Sequence, residues 1–306
     1  MAEQKQEKIK ALHISPGKHN TNFSTVIWHH TIPFLNDTNW GAAVHLDNEK
    51  LWWSEENVSW DNFKDIERLV IIDDIPDYEF IGQLTQLRSL TIINSKIFNN
   101  LNLIEGLEKL EYIQLIQCYQ VSDIAPIIRL RNKQAEKRSK AKPESIDSWS
   151  KFIYDYPVLQ NIALVDCNIS SLEAFREDSS PEMDELHLRW NHIRDITPLG
   201  VKQYAYLDLS HNHIEDITPL FDSEDTCYYG INLRHNLIKD MSGINIPNTG
   251  IPGRIKIWIN YNHRIPSEQL IKWKETKHLW IMDMELKPTR PKGAPKKNSK
   301  KKSKPD

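Results

Sequence analysis

Four side chains have the types and spacing that chemistry would use: His187, Asp208, His211 and His235. An imidazole titrates near neutral pH, so it can serve as a general base beside a carboxylate or as a metal ligand. A metal site needs three or four converging ligands and a supporting shell, and these residues alone do not supply that set. The three cysteines, Cys118, Cys167 and Cys227, are too few and too scattered for a disulfide framework or a tetrahedral zinc site. The chain has no G-x-x-x-x-G-K-S/T phosphate loop, no H-E-x-x-H, no G-x-S-x-G and no D-x-D-x-D-G calcium loop. No catalytic residue, metal or cofactor is therefore assigned, and a hydrolase or metal-dependent enzyme built on the histidines is the weakest reading of the sequence.

Those histidines sit inside a repeat. Aligning the chain on itself gives L-x-x-L-x-L-x-x-N-x-I-x-x-I-x-x-L, with three nearly complete copies. One runs through Met183, Leu186, Leu188, Asn191, Ile193, Ile196 and Leu199. The next runs through Tyr204, Leu207, Leu209, Asn212, Ile214, Ile217 and Leu220, and the third through Tyr228, Ile231, Leu233, Asn236, Ile238, Met241 and Ile244. Weaker copies centre on Leu69, Leu90, Ile113, Ile162 and Ile257. Intervals between equivalent residues are 21, 23, 49, 24, 21, 24 and 26, one of them interrupted.

Alternation in L-x-L puts two apolar side chains inward from a short strand, and such strands stack as a parallel sheet. Asparagine at the ninth position falls where the chain leaves the sheet, and its amide can satisfy turn groups that no strand reaches. Asn191, Asn212, Asn236 and Asn262 are structural on this reading. Cys118 and Cys167 occupy the same position and read as core thiols. The near-helical spacing of the remainder, with Thr-Pro-Leu at 197–199 and 218–220, predicts short 3₁₀ turns opposite the sheet.

The segments NHIRDITPL (191–199) and NHIEDITPL (212–220) resemble the short leucine-rich repeats of bacterial internalins and of the leucine-rich regulatory subunit of protein phosphatase 1. The resemblance covers roughly residues 64–265 and implies an α/β fold: a curved leucine-rich-repeat solenoid with a parallel concave sheet, capped at both ends, with one helical insertion. It is specific for fold and not for partner.

The same register lists what projects from the concave face. It offers Glu185, His187, Arg189 and Trp190 on one strand, then Tyr206, Asp208 and His211. The next two strands offer Asn232, Arg234 and His235, and Trp258, Asn260 and Tyr261. Aromatic residues and arginine dominate, a composition typical of binding hot spots. The sequence therefore predicts a protein-interaction module, of adaptor or inhibitor-like kind, that docks a partner protein in this arc. On this reading Trp190, Tyr206, Trp258 and Tyr261 are all exposed.

Residues 1–63 lack the repeat pattern and read as an N-terminal cap, with an alternating stretch from Phe23 to Ile32 and tryptophans 52, 53 and 60. The interruption, about 127–157, contains RLRNKQAEKRSKAK with seven basic residues and one Glu, and reads as a helical excursion. Residues 266–286 read as a C-terminal cap, with a helix after Pro266 and an apolar strand from Leu279 to Met284. The last twenty residues hold nine Lys/Arg and one acid, a net of +8, against a formal charge of −3 for the whole chain, which leaves −11 on the first 286. They read as a disordered basic tail. Lys296, Lys297, Lys300, Lys301 and Lys302 could give weak contact with nucleic acid or anionic lipid, and a nucleic-acid- or anionic-surface-associated protein is the alternative functional reading. No apolar run reaches 18 residues and no secretory signal is read near Met1, so no membrane span is expected and a cytoplasmic location is.

Overall fold

The computed structural model describes residues 11–14, 65–75, 77–141, 149–180, 182–200, 203–221, 228–244, 255–262, 265–275 and 279–282. Within them the chain coils through ten parallel strands in one sheet, in sequence order. The strands are β1 (Ala11–Ile14), β2 (Arg68–Ile72), β3 (Ser89–Ile93), β4 (Tyr112–Ile116), β5 (Asn161–Val165), β6 (Glu182–His187), β7 (Gln203–Asp208), β8 (Tyr228–Asn232), β9 (Ile255–Trp258) and β10 (Leu279–Met282). The pairing register runs Leu12, Leu69, Leu90, Ile113, Ile162, Leu186, Leu207, Ile231, Ile257, Ile281. Its eight inner members are the column read from spacing. This is a leucine-rich-repeat solenoid.

The N-terminal end differs from the sequence reading. Residues 11–14 were placed in a non-repeating cap, yet they pair with β2 in the repeat register, Leu12 beside Leu69. A four-residue strand leaves too little pattern to detect without its partner. At the other end the expected helix after Pro266 and strand from Leu279 are both present, and the strand joins the sheet as β10. The Phe23–Ile32 stretch, tryptophans 52, 53 and 60, and the basic tail lie outside the described residues.

One continuous apolar core runs the length of the coil, with Leu69, Leu90, Leu186, Leu207, Leu209 and Ile231 fully buried. Opposite the sheet, 3₁₀ turns at Glu79–Gln83, Leu101–Ile104, Glu173–Glu177, Thr197–Leu199 and Thr218–Leu220 close most repeats. An aspartate starts the two Thr-Pro-Leu turns: Asp195 Oδ1 accepts from Thr197 N at 2.8 Å and Asp216 Oδ1 from Thr218 N at 2.8 Å. Each carboxylate satisfies an amide that the short turn cannot pair internally. Gly200 is needed where these turns stack, because a Cβ there would lie 2.3 Å from the Pro219 carbonyl oxygen.

The long interval is a substitution of one element for another. Helix α1 (Ala125–Lys140) takes the place of a 3₁₀ turn and packs on its neighbours through Ile127, Ile128 and Leu130. It also buries Arg131, which pairs with equally buried Asp178 (Nε–Oδ2 3.2 Å) and donates to the Leu159 carbonyl. Gln134 Nε2 donates to the Leu110 carbonyl at 2.8 Å while its Oε1 accepts from Leu159 N at 2.8 Å. A short helix α2 (Trp149–Asp155) leads back towards β5, and α3 (Ser267–Lys274) covers the last repeat, Trp273 meeting Phe221 edge-on at 5.7 Å.

Candidate functional site

The site begins with the turn out of each strand. Asp73, Asn94, Gln117, Asp166, Trp190, His211, His235 and Tyr261 all have φ between 52° and 66°, the left-handed region. For residues with a Cβ this costs roughly 1–2 kcal/mol each, and for bulky rings it is uncommon. From Asp73 to His235 each turn is offset by a hydrogen bond to the next coil. The amide N–H of Trp190 donates to Ser210 O at 3.1 Å, that of His211 to Arg234 O at 2.9 Å and that of His235 to Asn260 O at 3.3 Å. The left-handed residues thus form a column across the repeats, one per coil.

In the last four coils that column is a stack of rings. Trp190 lies 3.8 Å from His211 with planes 9° apart, His211 lies 4.0 Å from His235 at 14°, and His235 lies 4.2 Å from Tyr261 at 9°. Aligned strands hold the rings in register, and stacked pairs add about 0.5–1.5 kcal/mol each. The ladder's two ends, Trp190 at 52% and Tyr261 at 53%, are exposed. Burial, and then the nearby His235, lower the pKa of His211 below the ordinary histidine value.

Beside the ladder lies a polar floor. His187 (7% exposed), Asp208 (5%) and Ser210 (4%) are buried, contrary to the expectation that the whole projecting set faces solvent. Strands under 5 Å apart let long side chains roof over short ones. The Tyr206 ring packs 5.3 Å from that of His187, and Tyr206 and Trp258 together cover Gly230. They are half-buried rather than exposed, and their rings meet edge-on at 6.1 Å above Gly230. A Cβ on Gly230 would come within 2.9 Å of the Tyr206 ring and 3.1 Å of Trp258, so glycine is what lets them close. Underneath, His187 Nε2 pairs with Glu185 Oε2 at 3.0 Å, and Asp208 Oδ1 accepts from Ser210 Oγ at 2.7 Å. Asn260 Oδ1 accepts from Arg234 Nε at 2.9 Å, while Asn232 Oδ1 accepts from Arg234 N at 3.3 Å. Arg189 precedes Trp190 on the same turn and its carbonyl accepts from Asp166 N at 3.0 Å. Burial, with Asp208 nearby, raises the Tyr206 pKa, keeping it a neutral hydroxyl.

Below the ladder the asparagines form a second column. Asn212 Nδ2 donates to Leu188 O at 2.9 Å and Leu209 O at 3.0 Å, and its Oδ1 accepts from Ile193 N at 3.0 Å. Asn191, Asn236 and Asn262 repeat this pattern, donating to Leu164 O, Leu209 O and Leu233 O and accepting from Ile169 N, Ile214 N and Ile238 N. Cys118 and Cys167 continue it more weakly, with Sγ 3.5 Å from Ile92 O and 3.6 Å from Leu115 O. Burial pushes both thiols up to about 12, far from nucleophilic.

Among the described residues no three His, Cys, Asp or Glu side chains are grouped to hold a metal, and no helix is long and apolar enough to cross a membrane. The histidine pair that could have ligated a metal is instead face-to-face in the ladder.

One part of the site was not anticipated. His192 and His213, just after the asparagines, stack at 5.7 Å and face Trp190 and His211 across an open groove of about 460 Å³. The signal was in the sequence as Trp-Asn-His at 190–192 and His-Asn-His at 211–213, rings flanking a buried amide on both sides.

The ring ladder and the polar residues beside it lie together on one face of a leucine-rich-repeat solenoid. No protein-family model matches the chain, and no curated protein does. Among solved structures it is similar to internalin C2 of Listeria monocytogenes, at 19% identity over 60% of this chain and 78% of that one, with a TM-score of 0.41. A second Listeria monocytogenes internalin is 18% identical over 74% of this chain and 65% of that one (TM-score 0.42). A leucine-rich-repeat protein of Leptospira interrogans is 16% identical over 72% and 61% (TM-score 0.35). The match spans less than two thirds of the latter two chains.

Proposed function

We propose that this chain is a protein-interaction module, adaptor or inhibitor-like, that docks a partner protein on the concave face between Glu185 and Tyr261 and works in the cytoplasm without catalysing a reaction. The observation that carries this reading is the four-ring ladder, rigid on strained turns and exposed at both ends. Rigid aromatic side chains lose little entropy on binding and are the commonest energetic anchors of interfaces. The floor supports it too, because hydrogen bonds already hold Asp208 and Arg234 in place before a partner arrives.

Quantitative affinity capture tests the reading. Trp190→Ala and Tyr261→Ala should each weaken capture by about 2 kcal/mol, a near-thirtyfold loss, with unchanged circular dichroism. Glu215→Ala and Lys239→Ala, an exposed ion pair on the opposite side, should leave capture within a few tenths of a kcal/mol. Normal capture by the ladder variants, with loss on neutralising Lys300, Lys301 and Lys302, would overturn the reading in favour of an electrostatic nucleic-acid or lipid contact.

A further inference from the structure

The ring ladder stops at Trp190. The next residue of the left-handed column, on the side of the indole away from His211, is Asp166, which has no ring to continue the stack. Its carboxylate is steered rather than neutralised: Tyr119 Oη and Gln117 Nε2 each donate to Oδ2 at 3.2 Å. Among the described residues no lysine or arginine pairs with it.

Asp166, Tyr119 and Trp190 form one end of the 460 Å³ groove, whose floor is Asn191 and Asn212. Among its described lining residues Asp166 is the one carboxylate, and there is no lysine or arginine. Tyr119 is 43% exposed and Trp190 52%, so both rings are open to a ligand. An uncompensated carboxylate between an indole and a phenol attracts a cation and repels an anion. A planar cation fits best, because it can lie on the indole while its N–H groups point at the carboxylate, which an ammonium group does less well.

We propose that this groove binds an arginine side chain presented by a partner polypeptide. The proposal deepens the protein-docking reading by naming the chemistry of one anchor, and it places that anchor at the rim of the concave face.

The test is a titration of the full-length ¹⁵N-labelled chain at pH 7.5 with Nα-acetyl-arginine amide, following the Trp190 indole N–H, assigned by its loss in Trp190→Phe. Nα-acetyl-citrulline amide, the same shape without the charge, and Nα-acetyl-lysine amide are the comparison ligands. A saturable shift is expected for arginine, weaker for lysine, and at least about fivefold weaker for citrulline. Asp166→Asn keeps one acceptor oxygen, enough for Tyr119 and Gln117, which both donate to a single oxygen of Asp166, and should weaken arginine binding by about the same factor. No saturable shift, equal binding of citrulline, or an unaltered Asp166→Asn titration would overturn the proposal. If it fails while Tyr261→Ala still loses partner capture, docking on the concave face stands and only the arginine anchor falls. If capture survives both Trp190→Ala and Tyr261→Ala, the docking reading falls whatever the titration gives.

Discussion

Replacing Asn212 by alanine removes one side chain and takes a partner from three groups on two coils. Its Nδ2 serves Leu188 O and Leu209 O, and its Oδ1 serves Ile193 N. The residue is 5% exposed, so water cannot take over without opening the turn. Ile193 N loses its acceptor, while Leu188 O and Leu209 O each lose one of two amide donors and keep Asn191 and Asn236, which predicts a loss of about 1–3 kcal/mol. Asn212→Cys should lose less, because the chain uses cysteine at this position in two other coils, where Sγ approaches the same type of carbonyl at 3.5–3.6 Å. Urea unfolding followed by far-UV circular dichroism ranks the three proteins, with Glu215→Ala as a control expected to lie within about 0.5 kcal/mol of wild type. An Asn212→Ala loss no larger than the control's, or a cysteine variant weaker than alanine, would refute the reasoning.

Other consequences follow from the same structure. Cys118 and Cys167, buried and pushed up to about 12, should stay unalkylated by iodoacetamide at pH 8 until urea unfolds the chain, as peptide mass spectrometry would report. Asp178→Ala should cost about 3–5 kcal/mol by stranding the buried Arg131 charge, and adding Arg131→Met should recover part of it; equal unfolding of single and double variants would count against the pair. The folded-state pKa of His211 is lowered, by burial first and then by His235, while Asp208 opposes and Arg189 assists. Above the ordinary histidine value both states are neutral. As pH falls below about 6.5 the unfolded chain takes up the proton first, so stability falls. The urea midpoint should therefore drop between pH 7.5 and 5.5 more in wild type than in His211→Phe, and equal drops would contradict the assignment.

The repeating column was legible because leucine and isoleucine recur at an interval set by the coil, and a two-residue alternation fixes which side chains turn inward. Leu12 escaped because β1 is four residues long and lies far from the next copy in sequence. Projection from the strand was legible, but exposure was not. Whether His187 and Asp208 face water depends on how neighbouring long side chains such as Tyr206 pack over them, which spacing does not encode. The ring stack itself was half legible: the positions of Trp190, His211, His235 and Tyr261 were evident, whereas their left-handed turns, which bring the rings to within 4.2 Å, were not. The groove was missed because the residues after each asparagine were read as leaving the sheet, although His192 and His213 remain beside it.

Site-specific photocrosslinking tests most directly whether the concave ladder docks a partner. Benzoylphenylalanine at Tyr261 keeps an aromatic ring in an exposed position, and the same residue at Lys239 reports the opposite side. In extracts of the source organism, irradiation should give one defined adduct from position 261, suppressed by Trp190→Ala in the same chain, and none from position 239. Adducts from position 239 alone, or an adduct from 261 that Trp190→Ala leaves at full yield, would contradict docking on the ladder.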